Sequence, residues 1–198
     1  MNLLLFKIIA LLVLFVFAFF ISDFRTKKGM VLLVNKKLMF AIKVFYSVPM
    51  LIYIYVIINM ENLFIYTYLG ISLTFIGAFL VAKAKIDLGK YHTWTGHILS
   101  STRIITDGVY AFIRHPLYTG IYIFIIGAIT IGVNNHSISF YLLMIVIGIV
   151  FFIMTFLVIT ALRESEFLHE KFGEDFKEYK KQVHAFLPIR RYSFDEES

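Results

Sequence analysis

The chain of 198 residues contains no cysteine. Disulfides, thiolate metal sites and a thiol nucleophile are therefore excluded. Charge is scarce too: charged residues make up 16% of the chain, against about 25% in a soluble domain. With 60% hydrophobic residues and a mean hydropathy of +0.81, neither a disordered chain nor an ordinary soluble domain fits. What remains is a membrane protein with little soluble mass. A separate cofactor domain of the usual ~100–150 residues has no room. Any chemistry falls to the membrane bundle, its connectors and its tail.

A transmembrane helix needs about 20 mostly apolar residues. Five stretches qualify: Leu3–Ile21, Leu38–Ile58, Leu63–Ile86, Leu117–Val133 and Ile138–Leu162, the fourth at the short limit. The first is too long for a signal-peptide core and no small-x-small cleavage site follows it, so it reads as a retained helix. The expected fold is all-α: a single domain over residues 1–198, with three spans in 1–87 and a connector, a helical hairpin and a tail in 88–198.

Lys and Arg mark the cytoplasmic side. The connections Asn59–Asn62 and Asn134–Ser137 carry neither, whereas Ser22–Lys37 holds Arg25, Lys27, Lys28, Lys36 and Lys37. Lys83, Lys85, Lys90, Arg103 and Arg114 follow or end the third span. The alternation predicts an N-terminus outside and a C-terminus in the cytoplasm. Residues 1–162 hold 12 Lys+Arg against 4 Asp+Glu. Topology and contact with anionic head groups account for that excess without nucleic acid. Lys7 and Lys43 lie near span ends, where a lysine snorkels to the interface. Gly70, Thr74, Ala78 and Ala82 recur every four residues, a stripe that serves either close helix packing or a ligand slot.

Two polar regions stand out. Leu88–Tyr118 holds the single tryptophan, Trp94, and three of the six histidines, His92, His97 and His115. Thr106-Asp107-Gly108 is turn chemistry, and Pro116 suits the first turn of a helix. His115 and Tyr118, three apart, share a face at that helix's mouth. The same residues also fit a plain interfacial anchor. The histidine spacings match no zinc pattern, so no metal is expected. In the second region, Leu168, Phe172, Phe176, Tyr179 and Val183 form an apolar face at helical spacing. Glu166, Glu170, Glu174 and Glu178 form a separate acidic stripe that reads as solvated. Glu164 stands outside that stripe, at the end of a span, where a carboxylate needs a partner. A cytoplasmic helix from about Arg163 to Val183, folded back over the pocket, is expected.

Together these regions resemble the isoprenylcysteine carboxyl methyltransferase family and its prokaryotic relatives. One motif is Gly108-Val109-Tyr110 followed by Arg114-His115-Pro116-Leu117-Tyr118-Thr119-Gly120. The other is Glu164 with Glu166, Leu168, Phe172-Gly173, Glu178-Tyr179-Lys180-Lys181, Val183 and Leu187-Pro188. The resemblance implies an S-adenosyl-L-methionine-dependent methyltransferase acting on a membrane lipid or a prenylcysteine-type carboxylate. It implies cofactor contacts at Thr102, Arg103, Ile104 and Ile105, at Tyr110, at His115, Pro116, Leu117 and Tyr118, and at Glu164. A further contact falls on Thr95 or His97. The family's substrate arginine, one turn before the glutamate, is Thr160 here, and its loop histidine is Thr102. Competing classes are an NADPH-dependent lipid or sterol reductase, which needs clustered Arg/Lys for the extra phosphate, a phospholipid N-methyltransferase, and a non-catalytic membrane protein.

Overall fold

The computed structural model describes residues 2–22, 27–133 and 140–188. Its helices are α1 (Leu3–Ile21), α2 (Lys36–Ile58), α3 (Ile65–Leu88), α4 (Pro116–Gly132), α5 (Phe140–Phe172) and α6 (Glu174–Gln182). Four of them, α1, α2, α3 and α5, are long and apolar enough to cross a membrane, and α4 is a shorter apolar helix of 17 residues. The chain is an integral membrane protein. Outward-facing Leu, Ile, Phe and Val on these helices are what a lipid solvent calls for.

Local chemistry sets the boundaries. The Asn35 side chain accepts from the Lys37 N–H at 2.8 Å, so α2 starts two residues before the apolar run. Lys7 Nζ donates to the Ile58 carbonyl at the end of α2, at 2.7 Å. Lys85 Nζ donates to the Phe20 and Ser22 carbonyls at the end of α1, at 2.9 and 3.1 Å. These lysines satisfy carbonyls that a helix end leaves unpaired. The expected connection Asn134–Ser137 and the first two residues of the expected fifth span lie outside the described residues.

The closest packing joins α3 to α4, which run antiparallel. Gly70 sits against Gly127, and Gly77 against Gly120. A Cβ at Gly77 would lie 2.5 Å from the Phe124 nitrogen and 2.6 Å from the Gly120 carbonyl oxygen. The buried seam on α3 is Gly70, Thr74, Gly77, Ala78, Val81 and Ala84. Ala82 of the expected stripe is only half-buried. The contact repeats every seven residues rather than every four, the period of a seam shared by two near-parallel helix axes.

The fold is mostly helical, with one short ribbon in which β1 (Met30–Leu32) and β2 (His97–Leu99) pair antiparallel, Met30 opposite Leu99 and Leu32 opposite His97. The pairing satisfies backbone groups of both segments. One expectation is corrected: no new helix begins at Arg163. α5 runs through it to Phe172, and the break comes at Gly173, whose φ of +54° favours glycine.

Candidate functional site

The segment joining α3 to α4 is folded down by polar ties. Asp87, at the end of α3, accepts the Val109 N–H at 2.9 Å and pairs with Lys83. A side chain at Gly108 (φ +58°) would run into that carboxylate, which accounts for the glycine before Val109-Tyr110. The Tyr110 carbonyl accepts from the Tyr179 hydroxyl of α6 at 2.6 Å. Lys171 Nζ, near the end of α5, donates to the Ser100 and Thr102 carbonyls at 2.6 and 2.7 Å. A strap after α6 closes the other side. The Arg114 and His115 N–H groups donate to the His184 and Ala185 carbonyls, both at 2.9 Å, and Arg114 Nε donates to the Val183 carbonyl at 2.9 Å.

These ties border an open cavity between the connector, the start of α4, the exit of α5 and α6. Thr102, Arg103, Ile104, Ile105, Tyr110, His115, Leu117, Tyr118 and Glu164 all line it, as do both Thr95 and His97. Pro116 is buried behind the wall as the first residue of α4. Leu168, Phe176 and Tyr179 supply the apolar face of the C-terminal segment.

Glu164 is the polar centre. Tyr118 donates its hydroxyl to one carboxylate oxygen, and His115 Nδ1 lies 3.2 Å from the other. An imidazole nitrogen facing a carboxylate carries its proton, so Nε2 of a neutral His115 accepts from the Ser165 hydroxyl, 3.3 Å away. The His115 and Tyr118 rings stack with centroids 5.7 Å apart. The Glu164 side chain is 21% exposed, whereas that of Glu166, paired with Arg163 at 2.9 Å, is 59% exposed. The acidic stripe of Glu166, Glu170, Glu174 and Glu178 is exposed, as its spacing suggested.

The remaining groups set the cavity's character. Ile104 and Ile105 both line the cavity and make no backbone hydrogen bond among the described residues. Burial pushes the Tyr110 hydroxyl well above its ordinary range, with the Glu164 charge adding to the effect, so it stays protonated. Burial also lowers the pKa of His97, whose Nδ1 is enclosed with no partner among the described residues. Arg103 lies 5.4 Å over the Tyr91 ring. Arg163 turns outward to Glu166, so the three arginines that a second phosphate would need do not converge. Thr160 is fully buried and its hydroxyl donates back to the Phe156 carbonyl at 2.9 Å. The sequence reading missed Ser165 and Lys171. Their partners are 50 to 71 residues away along the chain, and no local spacing announces them.

A second cavity, an open groove, lies between α2, α4 and α5. Its lining is almost wholly apolar, with Met50, Val56, Phe124, Ile125 and Val150 along it and Tyr46 among the few polar side chains. Ile121, one turn past Tyr118, belongs to this groove, so the two cavities share α4 as a wall.

A polytopic membrane protein with a polar pocket roofed by connectors and an apolar groove beside it is the class that fold and site define. A family model described as phospholipid methyltransferase matches residues 65–175, and the chain belongs to that family. It is 27% identical over 119 residues to the protein-S-isoprenylcysteine O-methyltransferase of Schizosaccharomyces pombe, which covers 58% of this chain and 46% of the relative. Over 125 residues it is 27% identical to a probable protein-S-isoprenylcysteine O-methyltransferase of Oryza sativa, covering 62% of this chain and 61% of the relative. The matches thus span about half to three-fifths of these relatives' length.

Proposed function

We propose that this chain is an S-adenosylmethionine-dependent methyltransferase acting on a membrane-embedded acceptor, a lipid or a prenylcysteine-type carboxylate. The carrying observation is the adjacency of a polar pocket centred on Glu164 and an apolar groove that shares α4 with it. The two relatives named as methyltransferases support the same reading.

The pocket fits the donor's chemistry. S-adenosylmethionine carries two cationic groups, a carboxylate and an adenine. A carboxylate accepts at up to about four lone-pair sites, and Tyr118 and His115 use two of those on Glu164. Glu164 keeps capacity for a cationic group. The backbone of Ile104 and Ile105 suits the adenine's hydrogen-bonding rim. Thr102, Arg103, Tyr110, Pro116 and Leu117 complete the proposed contacts, and the choice between Thr95 and His97 becomes a contribution from both. When bound, the donor supplies an electrophilic methyl on a sulfonium. The protein's own work is then alignment and exclusion of water. Tyr118 and His115 fix the orientation of Glu164, while Leu168 and Phe176 keep the site dry.

The positive-inside pattern supports an N-terminus outside and both cavities' polar ends at the cytoplasmic face. A phospholipid amine is the second acceptor reading, favoured by the family description.

Purified protein in nanodiscs should bind S-adenosylmethionine saturably by calorimetry. Native membranes given methyl-labelled donor should yield a labelled lipid that depends on this chain. No saturable binding refutes the reading, and the chemical nature of the labelled product separates a carboxylate from an amine acceptor.

A further inference from the structure

Tyr46 lines the apolar groove and packs against Trp94, whose chain neighbours Thr93 and Thr95 line the polar cavity, so it stands on the side of the groove toward that cavity. Its hydroxyl is buried and has no hydrogen-bond partner among the described residues. A buried donor left unpaired is costly, and such a group in a native fold calls for an explanation. Its ring packs edge-on to Trp94, with centroids 6.2 Å apart. Two other phenols, Tyr118 and Tyr122, stand on α4, the helix that the two cavities share. Those two are already committed: Tyr118 donates to Glu164, and Tyr122 donates to the Met154 carbonyl at 3.1 Å. One turn before Tyr46 on α2, Lys43 holds its ammonium 5.1 Å over the Trp94 ring.

We propose that the Tyr46 hydroxyl donates a hydrogen bond to the polar end of the acceptor at this junction, and that Lys43 makes an anionic end the preferred one. This rests on the methyltransferase reading above. An acceptor with its chain in the apolar groove must bring its nucleophile to the groove's meeting with the Glu164 pocket. Tyr46 and Tyr53 are the groove residues whose buried hydroxyls lack a partner among the described residues, and of the two Tyr46 is the one packed against Trp94. A phenol O–H needs a lone pair to donate to, which a carboxylate offers and an ammonium lacks. The Lys43 charge acts in the same sense, since it attracts a carboxylate and repels an amine that has kept its proton.

Trp94 is the chain's single tryptophan, so its fluorescence reports on this junction without labelling. The probes are N-acetyl-S-farnesylcysteine, its methyl ester and farnesylamine, titrated into the full chain in nanodiscs. The free carboxylate should change Trp94 emission saturably and bind tighter than the ester or the amine. Tyr46→Phe keeps the ring against Trp94 and removes only the hydroxyl. It should weaken carboxylate binding about tenfold, equivalent to about 1.4 kcal/mol, with the affinity for S-adenosylmethionine unchanged. Lys43→Gln should reduce the preference for carboxylate over ester. Equal carboxylate affinity in wild type and Tyr46→Phe, tighter binding of the amine, or no response to any probe would overturn the proposal. Loss of donor affinity in Tyr46→Phe would mean a structural role instead. Failure of the wild type to bind S-adenosylmethionine refutes the methyltransferase reading separately, and the Trp94 titration still decides Tyr46.

Discussion

Replacing Glu164 by Gln tests the pocket at its centre. The change is isosteric and removes one negative charge. In the native site both carboxylate oxygens are engaged, one by Tyr118 and the other by His115 Nδ1. The glutamine oxygen keeps the Tyr118 bond. Its amide nitrogen then faces His115, which adapts by changing tautomer: Nδ1 accepts from the amide and Nε2 donates to Ser165. The fold should therefore survive with a nearly unchanged melting temperature. What disappears is the charge offered to a cationic ligand group. A hydrogen bond to a charged group contributes about 1.5–3 kcal/mol, so calorimetry should show the S-adenosylmethionine dissociation constant rising about 10- to 100-fold. Glu166→Gln is the control. Two helical positions are about 200° apart, and Glu166 lies on the exposed side paired with Arg163. Surface pairs of that kind are worth about 0–1 kcal/mol to stability, and donor affinity should stay within about twofold. A larger effect at Glu166 than at Glu164, or silence at both, would refute the assignment of the pocket's centre.

Two further predictions concern the scaffold. Gly77→Ala should lower the melting temperature in detergent, because its Cβ would meet Phe124 and Gly120 backbone atoms that cannot rotate away; overpacking of this kind costs about 1–3 kcal/mol. Gly148→Ala, inside α5 with nothing within 4 Å of the added carbon, should hold or raise the melting temperature, since alanine favours a helix interior over glycine by about 0.5–1 kcal/mol. The third prediction concerns pH. Burial holds the His97 pKa below its ordinary value of 6.5, so the unfolded chain takes up that proton first. His97 therefore contributes stability that is complete above about pH 6.5 and declines as pH falls through its lower folded value. The melting temperature of His97→Gln should fall less steeply on acidification from pH 7 to 5 than that of wild type. Identical slopes would exclude His97 as a source of the acid sensitivity.

The sequence was most legible where one segment sufficed. Lipid-solvated helices announce themselves by length and hydropathy, and α1 matches its expected bounds residue for residue. Capping shifted α2 by two residues, because Asn35 acts before the apolar run begins. The placement of Glu164 apart from Glu166 was also readable, since helical geometry separates two such neighbours without any tertiary information. What could not be read were relations between distant segments. Tyr118 and Glu164 are 46 residues apart, and Lys171 reaches the Ser100 carbonyl across 71. The β1–β2 ribbon rests on three residues from each of two connectors, too few to show an alternating pattern. The seven-residue register of α3 on α4 was masked by a four-residue run of small side chains. Only Gly120 and Gly127 on the partner helix reveal which period the packing uses.

Two kinds of interaction divide the labour around the pocket. α3 and α4 meet backbone to backbone at their glycines, with the Leu73, Val81 and Ile131 side chains packed beside those contacts. That seam presents His115 and Tyr118 from one end of α4, and Asp87 at the end of α3 anchors the connector through Val109. The opposite wall, made by the exit of α5 and by α6, is joined to this body by polar links at Glu164, Lys171, Tyr179 and the strap at His184 and Ala185. The close-packed seam has no room for an added atom, and hydrogen bonds weaken steeply with distance and angle. The seam therefore governs whether the bundle holds, and the polar links govern whether the pocket has its working shape. Substitutions in the first set should register mainly in melting temperature. Those in the second should register mainly in ligand affinity. Glu164 sits where both walls meet, which is why a change that leaves its volume intact is expected to leave the fold standing and empty the pocket.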